Sequence, residues 1–118
     1  MFKLDLSDNY YFPVSVEIPE DGKHRKVTFD AEFKRLTKSE IREIFDRLPG
    51  LGKEVENPIP DDEILEKVFV GWKGIVDGNG ESLPYSETTR ERVLDIMGVA
   101  PGIVRAWFNS LNGSKAKN

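Results

Sequence analysis

The sequence contains no cysteine and no long apolar run, and each absence excludes a class of protein. Without cysteine, neither a disulfide framework nor a zinc site built on thiolates can form. No apolar run approaches the roughly 20 residues that a membrane-spanning helix needs, and the first residues lack the apolar centre of a secretory signal. We therefore expect a cytoplasmic protein with no membrane partner.

Histidine and surplus positive charge are also scarce. The single histidine, His24, falls between Lys23 and Arg25 in a polar loop, where a solvated side chain is more common than a catalytic or metal-binding one. The net charge is −4, with acidic and basic residues interspersed, whereas a nucleic-acid-binding protein usually carries a basic face. The composition therefore predicts no nucleic acid as a partner.

Two acidic stretches raise the question of a metal site. The turn at Asp77 begins as a calcium-binding EF-hand loop does, but Ser82 replaces the required Gly and Thr88 replaces the final Glu. Residues 61–63 are all acidic, which is typical of a first helical turn, where negative charge compensates the helix dipole. We predict no metal, no cofactor and no catalytic residue.

The 118 residues fit a single domain, and their periodicity predicts an α+β fold. Residues 12–18 and 26–33 alternate apolar and polar side chains, which indicates an N-terminal antiparallel β-hairpin with one wet face. Leu4 and Leu6 alternate in the same way and could extend the sheet. A lone hairpin is marginal in water, so we expect its apolar face to pack on about four short helices.

The helices are predicted from apolar residues spaced three and four positions apart. The first starts after Thr37, whose spacing to Glu40 is that of a capping box, and the third covers Ser86 to Met97. The domain is expected to span residues 1–113, with a flexible polar tail over 114–118. The apolar stripes are, in chain order, Ile41, Ile44, Phe45 and Leu48; Ile64, Leu65, Val68, Phe69 and Trp72; Val93, Leu94 and Met97; Val104, Trp107, Phe108 and Leu111.

The stretch from Phe69 to Ile96 organises the rest of the chain. Trp72 closes an apolar run, and the turn dipeptides Asp77-Gly78 and Asn79-Gly80 follow, where Gly takes positive φ without steric cost. Leu83-Pro84-Tyr85-Ser86 then forms an elbow into the third helix, whose first turn the serine caps. We expect Trp72 to lie where the hairpin face meets the second and third helices.

The last helix carries two adjacent aromatic residues, Trp107 and Phe108. Their side chains point about 100° apart on a helix, so both cannot lie at the centre of a narrow core stripe. Exposed aromatic side chains suggest a partner-binding surface, which we place at Trp107, Phe108 and Leu111. A broad stripe that faces the core is the alternative.

The order of these motifs resembles the tail assembly chaperones of long-tailed, lambda-like bacteriophages, in the form made before a frameshift. Those proteins carry a Trp, then an Asp-Gly turn, a Pro-containing elbow and a helix. Here those positions are Trp72; Asp77, Gly78 and Gly80; Pro84 and Ser86; and Val93 and Leu94. The resemblance covers nearly the whole chain. It implies a non-enzymatic protein that binds the tape measure protein, self-associates, and is absent from the finished virion.

Two alternative functions remain. One is a structural tail or connector component that stays in the virion. The other is a small metal-dependent enzyme that uses Asp61, Asp62 and Asp77, against which the absence of a basic substrate face argues.

The resemblance also implies a longer product, made when translation slips into the minus-one frame. Ala116-Lys117-Asn118 can be encoded by a run of A in which both tRNAs re-pair after sliding back one base, although other codons specify the same residues. A slip site further upstream is the alternative. In either case we predict a minor product that shares the residues from Met1 to near the end of this chain and continues in an overlapping frame. Mass spectrometry of induced cells should detect peptides that join the two frames. Closely spaced stop codons in both alternative frames would exclude this product.

Overall fold

The computed structural model describes residues 2–50, 52 and 54–112, which form an α+β fold. A three-stranded antiparallel sheet, with strand order β1-β2-β3, packs its apolar face against helices. The predicted tail over 114–118 lies outside the described residues, as does Gly113. The elements are β1 (Asn9–Glu20), β2 (Lys23–Lys34), α1 (Lys38–Asp46), α2 (Asp61–Val68), β3 (Phe69–Lys73), α3 (Glu87–Leu94) and α4 (Val99–Ser110).

The hairpin forms where the alternating residues predicted it, and it is longer than predicted. Val14 pairs with Phe29 and Phe12 with Ala31, so the apolar residues of the two strands share one face of the sheet. Asp21-Gly22 closes the hairpin with φ values of 44° and 80°, the left-handed conformation of a two-residue type I′ turn. This tight turn lets pairing continue through the polar residues at its base.

The residues before β1 do not extend the sheet. Leu4 and Leu6 precede β1, and both are exposed, so the expectation that they extend the sheet is wrong. The physical reason is the register, because Asn9 already pairs with Lys34, the last residue of β2. No strand residue remains opposite the segment that comes earlier.

A third strand corrects the prediction for the second helix. Helix α2 ends at Val68, and Phe69 and Trp72 lie on β3 rather than on a helical stripe. Trp72 pairs with Ala31 of β2, on the apolar face of the sheet. A short apolar run rich in aromatic and branched residues fits a strand as well as a helix, and the open edge of β2 decides between the two.

The third helix also differs from its predicted bounds. Helix α3 ends at Leu94, and Met97, predicted to point inward, is 81% exposed. Gly98 has a φ of 93° and is the N-cap of α4, so it starts the next helix as well as separating it from α3. Pro101 lies in the first turn of α4, where its missing N–H costs nothing.

Helix α4 lies directly on β1 and completes the core. Gly102 permits this approach, because a Cβ atom at that position would overlap Cγ1 of Val16. No helix among the described residues is both long and apolar enough to cross a membrane. The largest fully buried side chains are Trp107, Phe33, Ile44, Ile64, Leu65, Ile103, Val14 and Val68.

Trp72 is buried between the sheet and the elbow. Its Nε1–H donates a hydrogen bond to the carbonyl oxygen of Leu83 at 2.8 Å. Its ring meets that of Tyr85 edge to face, with centroids 4.9 Å apart, and lies 6.2 Å from that of Phe69. Trp72 is therefore a core residue on the hairpin face, as expected, but the contacts that hold its ring come from the elbow and from Phe69 of its own strand rather than from the third helix.

We predict that Trp72→Ala destabilises the fold by about 3–5 kcal/mol, since the change removes a core aromatic ring and leaves a cavity. Trp72→Phe keeps a ring and loses the hydrogen bond to Leu83, so its cost should be clearly smaller. Denaturant unfolding of both variants gives the free energies. A loss below about 1 kcal/mol for Trp72→Ala would contradict this packing.

Candidate partner-binding surface

The elbow motif forms one hydrogen-bonded unit that joins β3 to α3. The hydroxyl of Tyr85 donates to the carbonyl oxygen of Phe69 at 3.4 Å. Ser86 caps α3 by accepting from the amide of Thr89, whose own hydroxyl donates to the carbonyl oxygen of Pro84 at 2.7 Å. Pro84 and Ser86 therefore have structural roles, as their place in the motif suggests.

The turn between β3 and the elbow is built around Asp77. The Asp77 amide donates to the carbonyl oxygen of Glu81 at 2.8 Å, and the Gly80 amide to the carbonyl oxygen of Asp77 at 3.0 Å. Oδ1 of Asp77 accepts from the amides of Asn79 and Glu81. Gly80 has a φ of 82°, whereas Gly78 does not have a positive φ. The carboxylate thus stabilises the turn itself.

The acidic residues do not form a metal site in the part of the chain that the structure describes. No three His, Cys, Asp or Glu side chains there are grouped closely enough to hold an ion. Asp61 and Asp62 lie in the first turn of α2, where their negative charge interacts favourably with the helix dipole and stabilises the helix. Asp77 lies in the turn already described.

Two arginines fix the helices relative to one another, and sequence reasoning missed both because their partners are distant in the chain. Arg90 is largely buried; it donates to the carbonyl oxygen of Leu65 at 3.1 Å and lies 3.4 Å from the Glu66 carboxylate. Arg47 ends α1 and holds both carboxylate oxygens of Glu63 on α2. That hydrogen bonding raises the pKa of Arg47 and lowers the pKa of Glu63.

The structure leaves an aromatic pair at the surface between α1 and α4. Phe45 of α1 is 44% exposed, and its ring meets that of Phe108 on α4 edge to face, with centroids 5.7 Å apart. Ile41 and Leu111 are half-buried beside them. We call Ile41, Phe45, Phe108 and Leu111 the α1–α4 patch.

Trp107, the third residue predicted for a binding surface, is part of the core. It is 1% exposed, while Phe108, one position further round the helix, is half-buried. Phe45 was predicted on the core stripe of α1 instead. Ile44 and Phe45 are adjacent on α1, just as Trp107 and Phe108 are adjacent on α4. Adjacent residues on a helix point about 100° apart, so one residue of each pair is directed away from the centre of the core. The adjacency of Ile44 and Phe45 was therefore the signal in the sequence for a surface position of Phe45.

Because the comparisons with known proteins give no match, we infer the function from the surface of the molecule. No protein-family model, no curated protein and no solved structure matches this chain. The α1–α4 patch combines two aromatic rings with two aliphatic side chains, and aromatic residues in particular are enriched at the centres of protein interfaces. Its chemistry suits an apolar surface of another protein.

We predict that Gly80→Val destabilises the fold by about 1–3 kcal/mol, because a branched residue is strained at the positive φ of this position. Gly78→Val and Asn79→Ala are the matched controls. A Cβ atom at Gly78 would meet no other atom within 4 Å, and Gly78 has no positive φ, so both controls should cost little. Thermal unfolding compares the three, and equal tolerance at Gly78 and Gly80 would contradict the assigned turn.

Proposed function

We propose that this protein is a non-enzymatic phage tail assembly chaperone that binds the tape measure protein through the α1–α4 patch. The observation that carries the proposal is the contact between the exposed ring of Phe45 and the half-buried ring of Phe108. Aromatic rings at a protein surface are costly in water and become favourable when a partner covers them.

The two aromatic rings of the patch are supported by buried neighbours. Phe108 contacts the buried ring of Trp107, with centroids 5.0 Å apart, so its ring rests on the core. Phe45 follows the buried Ile44 on α1, whose C-terminal end Arg47 ties to α2 through Glu63. A pre-formed surface loses little conformational entropy on binding, and this favours a recognition role for the pair.

The packing around Trp72 supports the resemblance in a different way. The indole, the elbow carbonyl of Leu83 and the cap at Ser86 form a continuous structural unit. A Trp, a tight turn and a Pro-containing elbow in this order are what such a unit requires. In this chain, folding therefore explains the residues of the motif that resembles the phage chaperones, and catalysis is not needed to explain them.

A frameshifted longer product would carry the same patch, since it shares the residues from Met1 to near the end of this chain. Both forms could then bind the tape measure protein in the cytoplasm of the bacterial host. We assign one activity to the patch. It covers apolar surface on the tape measure protein before tail-tube subunits polymerise round that protein.

We predict that Phe108→Ser combined with Leu111→Ser abolishes pull-down of the tape measure protein, while circular dichroism remains native-like. Phe45→Ser, at the most exposed member of the patch, should weaken binding roughly ten-fold or more with little effect on folding. Met97→Ser is the matched control, because Met97 is an exposed apolar residue outside the patch. Retained pull-down by both patch variants would rule the patch out as the main contact.

A further inference from the structure

The half of β2 next to the hairpin turn has a free edge. Strand β1 pairs with all of β2, from Lys23 to Lys34, whereas β3 pairs with it from Asp30 to Phe33. In the part of the chain that the structure describes, no strand pairs with residues 23–28 on the side away from β1, and no loop forms a backbone hydrogen bond with them. We call residues 23–28 of β2 the open edge.

The register determines which main-chain groups point outward at the open edge. In an antiparallel pair, residues that bond across the pair alternate with residues whose N–H and C=O point away from it. The Arg35 amide donates to the carbonyl oxygen of Asp8 at 2.7 Å, and the register is unbroken from there to the turn, so the odd-numbered residues of β2 bond to β1. The outward groups of the open edge therefore belong to His24, Lys26 and Thr28, which are all exposed.

Prolines restrict pairing at the opposite edge of the hairpin. By the same alternation, Pro13 and Pro19 lie at positions of β1 whose main-chain groups point away from β2. Proline has no N–H, so each of them removes a donor that an added strand would need. The open edge contains no proline and keeps its donors as well as its acceptors. An exposed edge of this kind is where a strand from another chain can add to a sheet.

The charges of the open edge select which strand can add. Residues 23–26 read Lys-His-Arg-Lys and are exposed, and the open edge contains no acidic residue. Lys23 and Lys26 form no ion pair with a described carboxylate, whereas Arg25 lies 3.5 Å from Glu20. The acidic residues of the hairpin lie on β1 and in the turn, and β1 is about 4.8 Å further from an added strand. Opposite charges stabilise a cross-strand pair and like charges destabilise it, so the edge favours an acidic strand over a second copy of itself.

We propose that the open edge binds an extended acidic segment of another protein by strand addition. The main chain of that segment bonds with His24, Lys26 and Thr28, and its successive side chains fall on opposite faces of the sheet. Carboxylates on the outer face lie beside Lys26, and apolar side chains on the inner face lie beside the half-buried Val27. The segment continues the line of β3 along β2, so the sheet gains a paired edge where it now has a free one.

Fluorescence anisotropy with the full chain and a short labelled peptide that alternates Glu and Val tests the binding. The Glu/Val peptide should bind, and a peptide with Lys in place of Glu should not. Lys26→Glu should raise the dissociation constant of the Glu/Val peptide roughly ten-fold or more, because it places like charges opposite one another. Lys34→Glu, at the other end of the same strand, should leave it unchanged. No binding of the Glu/Val peptide, equal binding of both peptides, or equal effects of the two variants would overturn the proposal.

Amide hydrogen exchange, followed by NMR, separates strand addition from attraction by charge alone. The Glu/Val peptide should slow exchange at the outward amides of His24, Lys26 and Thr28, and should change it little at the odd-numbered residues between them, which already bond to β1. Unchanged exchange at the three outward amides, with or without peptide binding, would overturn the proposal.

Two proline variants test the main-chain donors themselves. Thr28→Pro removes one outward N–H from the open edge and should weaken binding of the Glu/Val peptide. Ser15→Pro is the matched control, because Ser15 lies directly opposite Thr28 on β1 and its amide points away from the open edge. Circular dichroism checks that each variant is folded, and the exchange pattern of the natural chain decides the matter if Thr28→Pro does not fold. Equal binding by the two folded variants would contradict strand addition.

The open edge shares no residue with the α1–α4 patch, so strand addition goes beyond the proposed function and fails separately from it. If the Glu/Val peptide does not bind while the chain still captures the tape measure protein, strand addition alone is removed. If the peptide adds to the open edge while that capture fails, the proposed function alone is removed.

Discussion

The burial of the Trp72 indole between β3 and the elbow is the constraint on which the arrangement of β3, the elbow and α3 depends. It holds the elbow against β3, and the elbow in turn sets where α3 begins, through the cap at Ser86. Arg90 then links α3 back to α2 at the carbonyl oxygen of Leu65. The buried indole and these bonds therefore act together with the pairing of β3 to β2 and the packing of α2 and α3 on α4.

The surface that we propose for a partner is a consequence of how the core is filled. Helices α1 and α4 each place two large apolar residues side by side, and the core accepts one of each pair. Ile44 and Trp107 are buried, whereas Phe45 is exposed and Phe108 is half-buried, and the rings of these two phenylalanines meet. Two aromatic rings in contact form an apolar area that a partner can cover. Their presence gives the α1–α4 patch a physical basis as a recognition surface.

Local signals predicted much of this fold, and long-range pairing accounts for the rest. The hairpin, the capping box at Thr37 and the turn at Asp77 depend on neighbours in the chain, and the sequence revealed them. Strand β3 depends on the free edge of β2, about forty residues earlier, which no local pattern reports. For the same reason Trp72 was placed on a helix. The adjacency of Phe108 to Trp107 indicated that one of the two is partly exposed. Phe45 was assigned to the core, because a helical stripe in the sequence does not show how wide the core is.

We propose that this protein acts during tail assembly and is absent from the finished particle. Quantitative mass spectrometry of tail-assembly intermediates and of purified finished particles tests that claim directly. We expect the chain to be abundant in intermediates that contain tape measure protein and to occur only in traces in finished particles. Stoichiometric amounts in finished particles would contradict the claim and would identify a structural component of the tail instead.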